Sequence, residues 1–181
     1  MNYFTSRDIA AIAMCAALWS VLSAYIAPIF WRTTSMPFFC DMLGVISLTL
    51  ALWWIRKFGA VTVTGITATI IMMMLNPNAT HFFGFTAASV IFDVLTRLIG
   101  YQNCLEKPII SVISLLFASV ASTAVAGVVI GTFFMNPNFL MTRFGGVAFF
   151  SVLHAAGGVI GGTIGLMLTK ALSTRISLPK V

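Results

Sequence analysis

Apolar positions in this chain run in long unbroken stretches rather than alternating with polar ones, and most prolines and charges fall in the breaks between them. Stretches near the ~20 residues that a helix needs to cross hydrocarbon predict transmembrane helices. They lie at about 8–29, 38–55, 60–75, 82–100, 109–134 and 145–172, which predicts an all-α membrane protein, a six-transmembrane-helix bundle forming one integral membrane domain over residues 1–181. Pro37 and the Arg56-Lys57 pair bound the second stretch, Gly59 and Pro77 the third, Pro108 and Pro137 the fifth. The first stretch, Ile9 to Ile29, is span-length and too long for the apolar core of a cleavable signal peptide, so it is predicted to stay as a helix.

Composition sharpens this. Of 181 residues, 60% are hydrophobic and 8% charged, far below the roughly 25% charged of soluble domains. The net charge of +6 comes from basic residues placed singly or in pairs between apolar runs, not from a patch of the kind that holds nucleic acid. Eight of them (Arg7, Arg56, Lys57, Arg97, Lys107, Lys170, Arg175 and Lys180) fall in one set of alternate loops, against Arg32 and Arg143 in the other. That asymmetry predicts that the first set, with both termini, is cytoplasmic. Trp53 and Trp54 beside Arg56-Lys57 then suit an aromatic anchor at the inner surface. The outer loops are expected at about 30–37, 76–81 and 135–144. Two of them open on the same tripeptide, Asn76-Pro77-Asn78 and Asn136-Pro137-Asn138, although little else aligns at that offset. Cys15, Cys40 and Cys104 show no C-x-x-C spacing and are expected as inert thiols.

Candidate chemistry concentrates on the outer side. Trp31, Asn76, Asn78, His81, Phe82, Asn136 and Arg143 offer amide donors and acceptors beside flat rings, a set suited to a planar heteroaromatic ligand. Each type is also ordinary in interfacial turns. Asp41, Asp93 and His154 are ionisable groups expected inside the membrane, where such groups are costly and mark function by default. Asp93 has Arg97 four residues on, so an i,i+4 ion pair accounts for it. Asp41 has no basic residue one turn away and is the better ligand candidate; His154 suits either a ligand or a neighbouring helix. Small residues at Ala10, Ala13, Ala17, Ser20 and Ala24 make one face of helix 1 smooth, for packing within the chain or docking to a partner subunit. Gly157, Gly161 and Gly165, with Gly158 and Gly162 beside them, form a denser ridge expected to pack internally.

No G-x-x-x-x-G-K-[ST] loop, H-E-x-x-H, paired carboxylates at helical spacing or nucleophile triad can be read from the sequence. The chain is therefore expected not to bind ATP, not to be an enzyme, and to need neither cofactor nor metal.

The stretch Thr5-Ser6-Arg7-Asp8-Ile9-Ala10 leading into Ala13 and Ala17, the six spans and the glycine-rich last helix resemble the substrate-binding S components of energy-coupling factor (ECF) transporters. That resemblance covers the whole chain. It implies a prokaryotic multi-pass cell-membrane protein that captures a small vitamin-like ligand beneath the loops after helices 1, 3 and 5. It also implies that Ala10, Ala13 and Ala17 dock on a separate coupling transmembrane subunit driven by ATPase subunits. Arg56-Lys57-Phe58-Gly59-Ala60 and Leu75-Asn76-Pro77 look like the YkoE type, which implies the thiamine precursor hydroxymethylpyrimidine as ligand. Asn2 stands where a nickel or cobalt S component carries an early histidine, which disfavours the metal branch. A self-contained secondary transporter or channel, with Asp41 and His154 as its raw material, is the alternative, and a structural or assembly membrane protein is a third class.

Overall fold

The computed structural model describes residues 3–176, so Asn2 and Lys180 lie outside the described residues. All regular elements among the described residues are helical: α1 (Ser6–Tyr25), α2 (Ala27–Thr34), α3 (Phe38–Ile55), α4 (Ala60–Leu75), α5 (Phe83–Ile99), α6 (Tyr101–Leu105), α7 (Pro108–Phe133), α8 (Pro137–Phe144) and α9 (Val147–Ser173), with a one-turn 3-10 segment at Thr80–Phe82 before α5. Five helices are long and apolar enough to cross a membrane: α1, α3, α5 with its 3-10 turn, α7 and α9; α4, with 16 residues, is shorter. Large apolar side chains such as Met74, Leu98, Ile109 and Met167 cover the outside of the bundle. Lipid is the solvent in which such a surface costs nothing. The protein is a multi-pass helical membrane bundle.

Neighbour contacts close the main helices into a ring, α1 to α3 to α9 to α7 to α5 to α4 and back to α1, with α3 also touching α4 and α5. Trp19, Leu48, Leu52, Phe92 and Leu115 fill its interior. The α9 glycines set the closest contacts. A Cβ on Gly161 would lie 2.6 Å from the Met42 carbonyl oxygen of α3, and one on Gly162 would lie 2.8 Å from Ser119 Oγ of α7. One face of α9 therefore meets α3 backbone and the adjacent face meets α7, as the expected internal ridge requires.

Local structure departs from the sequence reading in four places. The first predicted span, 8–29, ends at Tyr25, and α2 begins after Ile26 with Pro28 in its first turn. Pro28 has no N–H for the Ala24 carbonyl, and its ring crowds that oxygen, so one helix becomes two. The predicted loops 30–37 and 135–144 are accordingly short helices for most of their length. Trp53 is not a lipid anchor. It is buried, and its Nε1 donates to Ser173 Oγ at 2.8 Å, tying the end of α3 to the end of α9.

The fourth correction is Asp93, which does not pair with Arg97. Its Oδ2 accepts from the Thr62 backbone N–H at 3.0 Å and from Thr62 Oγ1 at 2.9 Å. Thr62 is the third residue of α4, whose own N-cap, Gly59, has no side chain to offer, so a carboxylate from α5 caps α4 from outside. Favourable charge at a helix N-terminus outweighs a solvent-screened i,i+4 pair. Asp93→Ala is expected to cost about 1–3 kcal/mol, the penalty for orphaning buried donors. Thermal unfolding in detergent would measure this; an equal loss in Arg97→Ala, which leaves the Thr62 cap intact, would reinstate the ion pair.

The N-terminal end of α1 belongs to the same end of the bundle. Thr5 and Asp8 form a reciprocal capping box, with Asp8 N–H donating to Thr5 Oγ1 at 3.3 Å and Thr5 N–H to Asp8 Oδ2 at 2.8 Å. Lys57 Nζ, in the α3–α4 turn, lies 2.7 Å from Asp8 Oδ2, and Arg56 Nη1 lies 2.7 Å from Glu106 Oε1. These contacts gather the starts of α1 and α7 with the end of α3.

Candidate functional site

At the opposite end, a cavity of about 410 Å³ opens between the helices. Every helix of the ring contributes to its wall: Trp19 and Ser23 from α1, Cys40 and Asp41 from α3, Met72 from α4, Phe85 from α5, Ala126 and Ile130 from α7, Phe150 and His154 from α9. Trp31 and Arg32 of α2, Asn76 after α4, and His81 and Phe82 of the 3-10 turn complete it.

Its aromatic lining is held by packing. Trp19 and Phe85 stack with centroids 3.9 Å apart and planes 9° from parallel, and Phe82 meets Trp19 edge-on at 5.1 Å. Trp19 Nε1 donates to the Cys40 carbonyl at 3.2 Å, which spends its only polar group and leaves the ring as an apolar wall. Gly44 makes this stack possible, since a Cβ there would lie 2.6 Å from the Phe85 ring.

Polar groups enter this wall from three helices. His154 Nδ1 of α9 lies 2.8 Å from Asp41 Oδ2 of α3, with both side chains nearly buried. That distance makes the two groups a buried carboxylate–imidazole pair. Beyond that mutual contact, Oδ2 of Asp41, both ring nitrogens of His154 and Oγ of Ser23 have no hydrogen-bond partner among the described residues. Phe150 packs edge-on against the imidazole at 4.5 Å and limits its swing. Buried polar atoms left in this state are expensive unless something else satisfies them. A serine, histidine and aspartate around one cavity invite comparison with a hydrolytic triad, but Ser23 Oγ makes no hydrogen bond to His154.

Six of the sequence-predicted site residues line this cavity: Trp31, Asp41, Asn76, His81, Phe82 and His154. Asn78, Asn136 and Arg143 do not. Asn136 uses its side-chain oxygen to cap α8, accepting from the backbone N–H of Asn138 at 2.9 Å and of Phe139 at 3.3 Å. Asn76 makes the equivalent turn contact with Asn78 N–H at 3.3 Å and still lines the cavity. The repeated Asn-Pro-Asn thus serves two local turns, as the side chain of Asn commonly does before proline.

The sequence reading did not select Trp19, Ser23, Arg32, Cys40, Phe85 or Phe150 as site residues, although all six line the cavity. Trp19 and Ser23 lie one helical turn apart on α1, and Ser23 follows Ser20, which is buried and donates to the Ala68 carbonyl of α4 at 2.9 Å. A polar serine one turn beyond a tryptophan, on the buried face of an otherwise lipid-exposed helix, is the pattern that could have found them.

On the outside of α1, Ala10 and Ala13 are exposed and Ala17 and Ala24 are half-buried, whereas Ser20 turns inward. No family model matches this chain, and no match among curated proteins or solved structures was found, so any functional reading rests on the site's own geometry.

Proposed function

We propose that this chain is the substrate-capture subunit of an ATP-driven, ECF-type importer in a prokaryotic cell membrane, taking a small, flat, heteroaromatic vitamin or vitamin precursor. The observation that carries this reading is the cavity: stacked aromatic walls with a carboxylate and an imidazole that touch only each other, and a free serine hydroxyl, set among them. Its volume of about 410 Å³ falls in the range of small-molecule sites. A ligand bearing ring N–H or amino donors satisfies Asp41, and one with a π-face lies against Trp19 and Phe85. Hydroxymethylpyrimidine, a thiamine precursor, has both features.

In this reading α4 is the sixth span. At 16 residues it is about 24 Å long, and the Lys57–Gly59 turn and Asn76 extend its reach. The basic residues at the end opposite the cavity then face the cytoplasm with both termini, and the cavity faces outward. The exposed Ala10 and Ala13 suit close approach of a coupling transmembrane subunit, which separate ATPase subunits drive.

A self-contained secondary transporter has one observation in its favour, the buried Asp41–His154 contact, which is the kind of pair that proton coupling uses. Reconstitution separates the two. Protein purified without added ligand is expected to release a small heteroaromatic molecule on denaturation, identified by mass spectrometry. The same molecule is expected not to accumulate in liposomes holding this chain alone, whatever proton or sodium gradient is imposed. Gradient-driven accumulation would discard the capture-subunit reading.

A further inference from the structure

A second pocket, of about 310 Å³, lies at the end of the bundle opposite the ligand cavity, between the end of α3, the end of α5 and α6. Arg56, Arg97, Gly100, Tyr101, Gln102 and Asn103 line it. The two arginines are held in different ways. Arg56 sits at the C-cap of α3 with φ +52°, its Nε donating to the Trp53 carbonyl at 3.3 Å and its Nη1 paired with Glu106. Arg97 forms no salt bridge among the described residues, and its guanidinium lies over the Tyr101 ring, 5.8 Å from the centroid.

The freedom of Arg97 follows from the correction above. The carboxylate four residues before it, Asp93, is committed to the N-terminus of α4. With Glu106 set against Arg56, the pocket carries a net positive charge supplied by Arg97, a planar fork of N–H donors whose natural complement is a phosphate or carboxylate. Gln102 adds an amide donor beside it, whereas the Asn103 amide is engaged, its Nδ2 donating to the Ile99 carbonyl at 2.7 Å. Burial, with the Asp93 charge adding to it, pushes the Tyr101 phenol up to about 12, so it stays neutral and does not repel an anion. Leu98, next to Arg97 on α5, is exposed on the bundle surface, where an acyl chain would lie.

The geometry points to a binding site for the phosphate of an anionic phospholipid headgroup, held by Arg97 with support from Arg56 and Gln102. It does not depend on the proposed transport role, because lipid surrounds this end of the bundle in either reading.

Native mass spectrometry of the intact chain in mild detergent, titrated with phosphatidylglycerol, phosphatidylcholine or inorganic phosphate, tests it. Phosphatidylglycerol is expected to be retained in preference to phosphatidylcholine. In Arg97→Gln that retention should fall about fivefold, the factor for losing one basic group beside anionic lipid, while Arg143→Gln at the far end leaves it unchanged. Arg97→Lys keeps the charge and loses the fork, so it lowers retention by a smaller factor and serves if the glutamine variant does not fold. Unchanged retention in the folded Arg97 variant, or equal retention of the two lipids, overturns the site. Displacement of phosphatidylglycerol by millimolar inorganic phosphate would show a free-anion site and overturn the assignment to lipid.

Discussion

Asp41→Asn is expected to weaken binding of the co-purifying molecule by on the order of 10- to 150-fold, the loss of a hydrogen bond to a charged group inside a protein. The substitution keeps the side chain's size and removes its charge. Asp41 is suited to show this because the other described carboxylates are committed elsewhere: Asp8 to Lys57, Asp93 to Thr62 and Glu106 to Arg56. Asp41 has His154 as its one ion-pair partner among the described residues, and no basic residue of fixed charge. Isothermal titration of the variant against the molecule released from the wild type measures the change. Asn76→Ala should also weaken binding, because Asn76 lines the cavity, whereas Asn78→Ala should not. If Asn78→Ala weakened binding while Asp41→Asn left it intact, the ligand would lie in the loops and the cavity would not be its site.

Gly161→Ala is expected to destabilise the bundle by about 1–3 kcal/mol or more, because the added methyl meets backbone rather than flexible side-chain ends. Its three nearest neighbours would be the Met42 carbonyl oxygen at 2.6 Å, Met42 Cα at 2.9 Å and Val45 Cβ at 2.9 Å, so α3 or α9 must move as a whole. Gly131→Ala on α7 makes the contrast. There the nearest atoms are side-chain carbons of Phe150, Leu140 and Val147 at 3.4–3.5 Å, and the gain in helix propensity, up to about 1 kcal/mol, should offset any crowding. Thermal unfolding of both variants in the same detergent checks this. Equal destabilisation would mean that backbone contact between α3 and α9 does not govern the packing.

Much of this architecture is legible in the apolar runs because lipid imposes length and composition on each helix. The predicted boundaries of α3 and α4 agree with those observed, since Pro37, Arg56, Gly59 and Pro77 all sit where a helix must stop or start. What the runs conceal is direction. Asp93 is followed at one turn by an arginine and yet reaches across to another helix, because the unfilled N-terminus of α4 is a stronger claim that one-dimensional spacing does not display. The same holds for the cavity. Asp41, Asn76 and His154 stand out as polar groups within or at the ends of apolar runs, whereas Trp19 and Phe150 read as ordinary apolar residues until their neighbours are known. Asn136 shows the converse: its polarity is as conspicuous as that of Asn76, but its side chain is spent on the turn of α8.

If α4 is the sixth span, as proposed above, the Asp93 cap also constrains the order in which the chain can enter the bilayer. A newly made α4 that partitioned into hydrocarbon alone would carry the Thr62 N–H with no acceptor, at a cost of several kcal/mol. Its acceptor arrives with α5, the next helix to be synthesised, across the short connection that contains the 3-10 turn. The unit that escapes this cost is the helical hairpin of α4 and α5 inserted together, with the start of α4 sheltered near the headgroups until its partner is made.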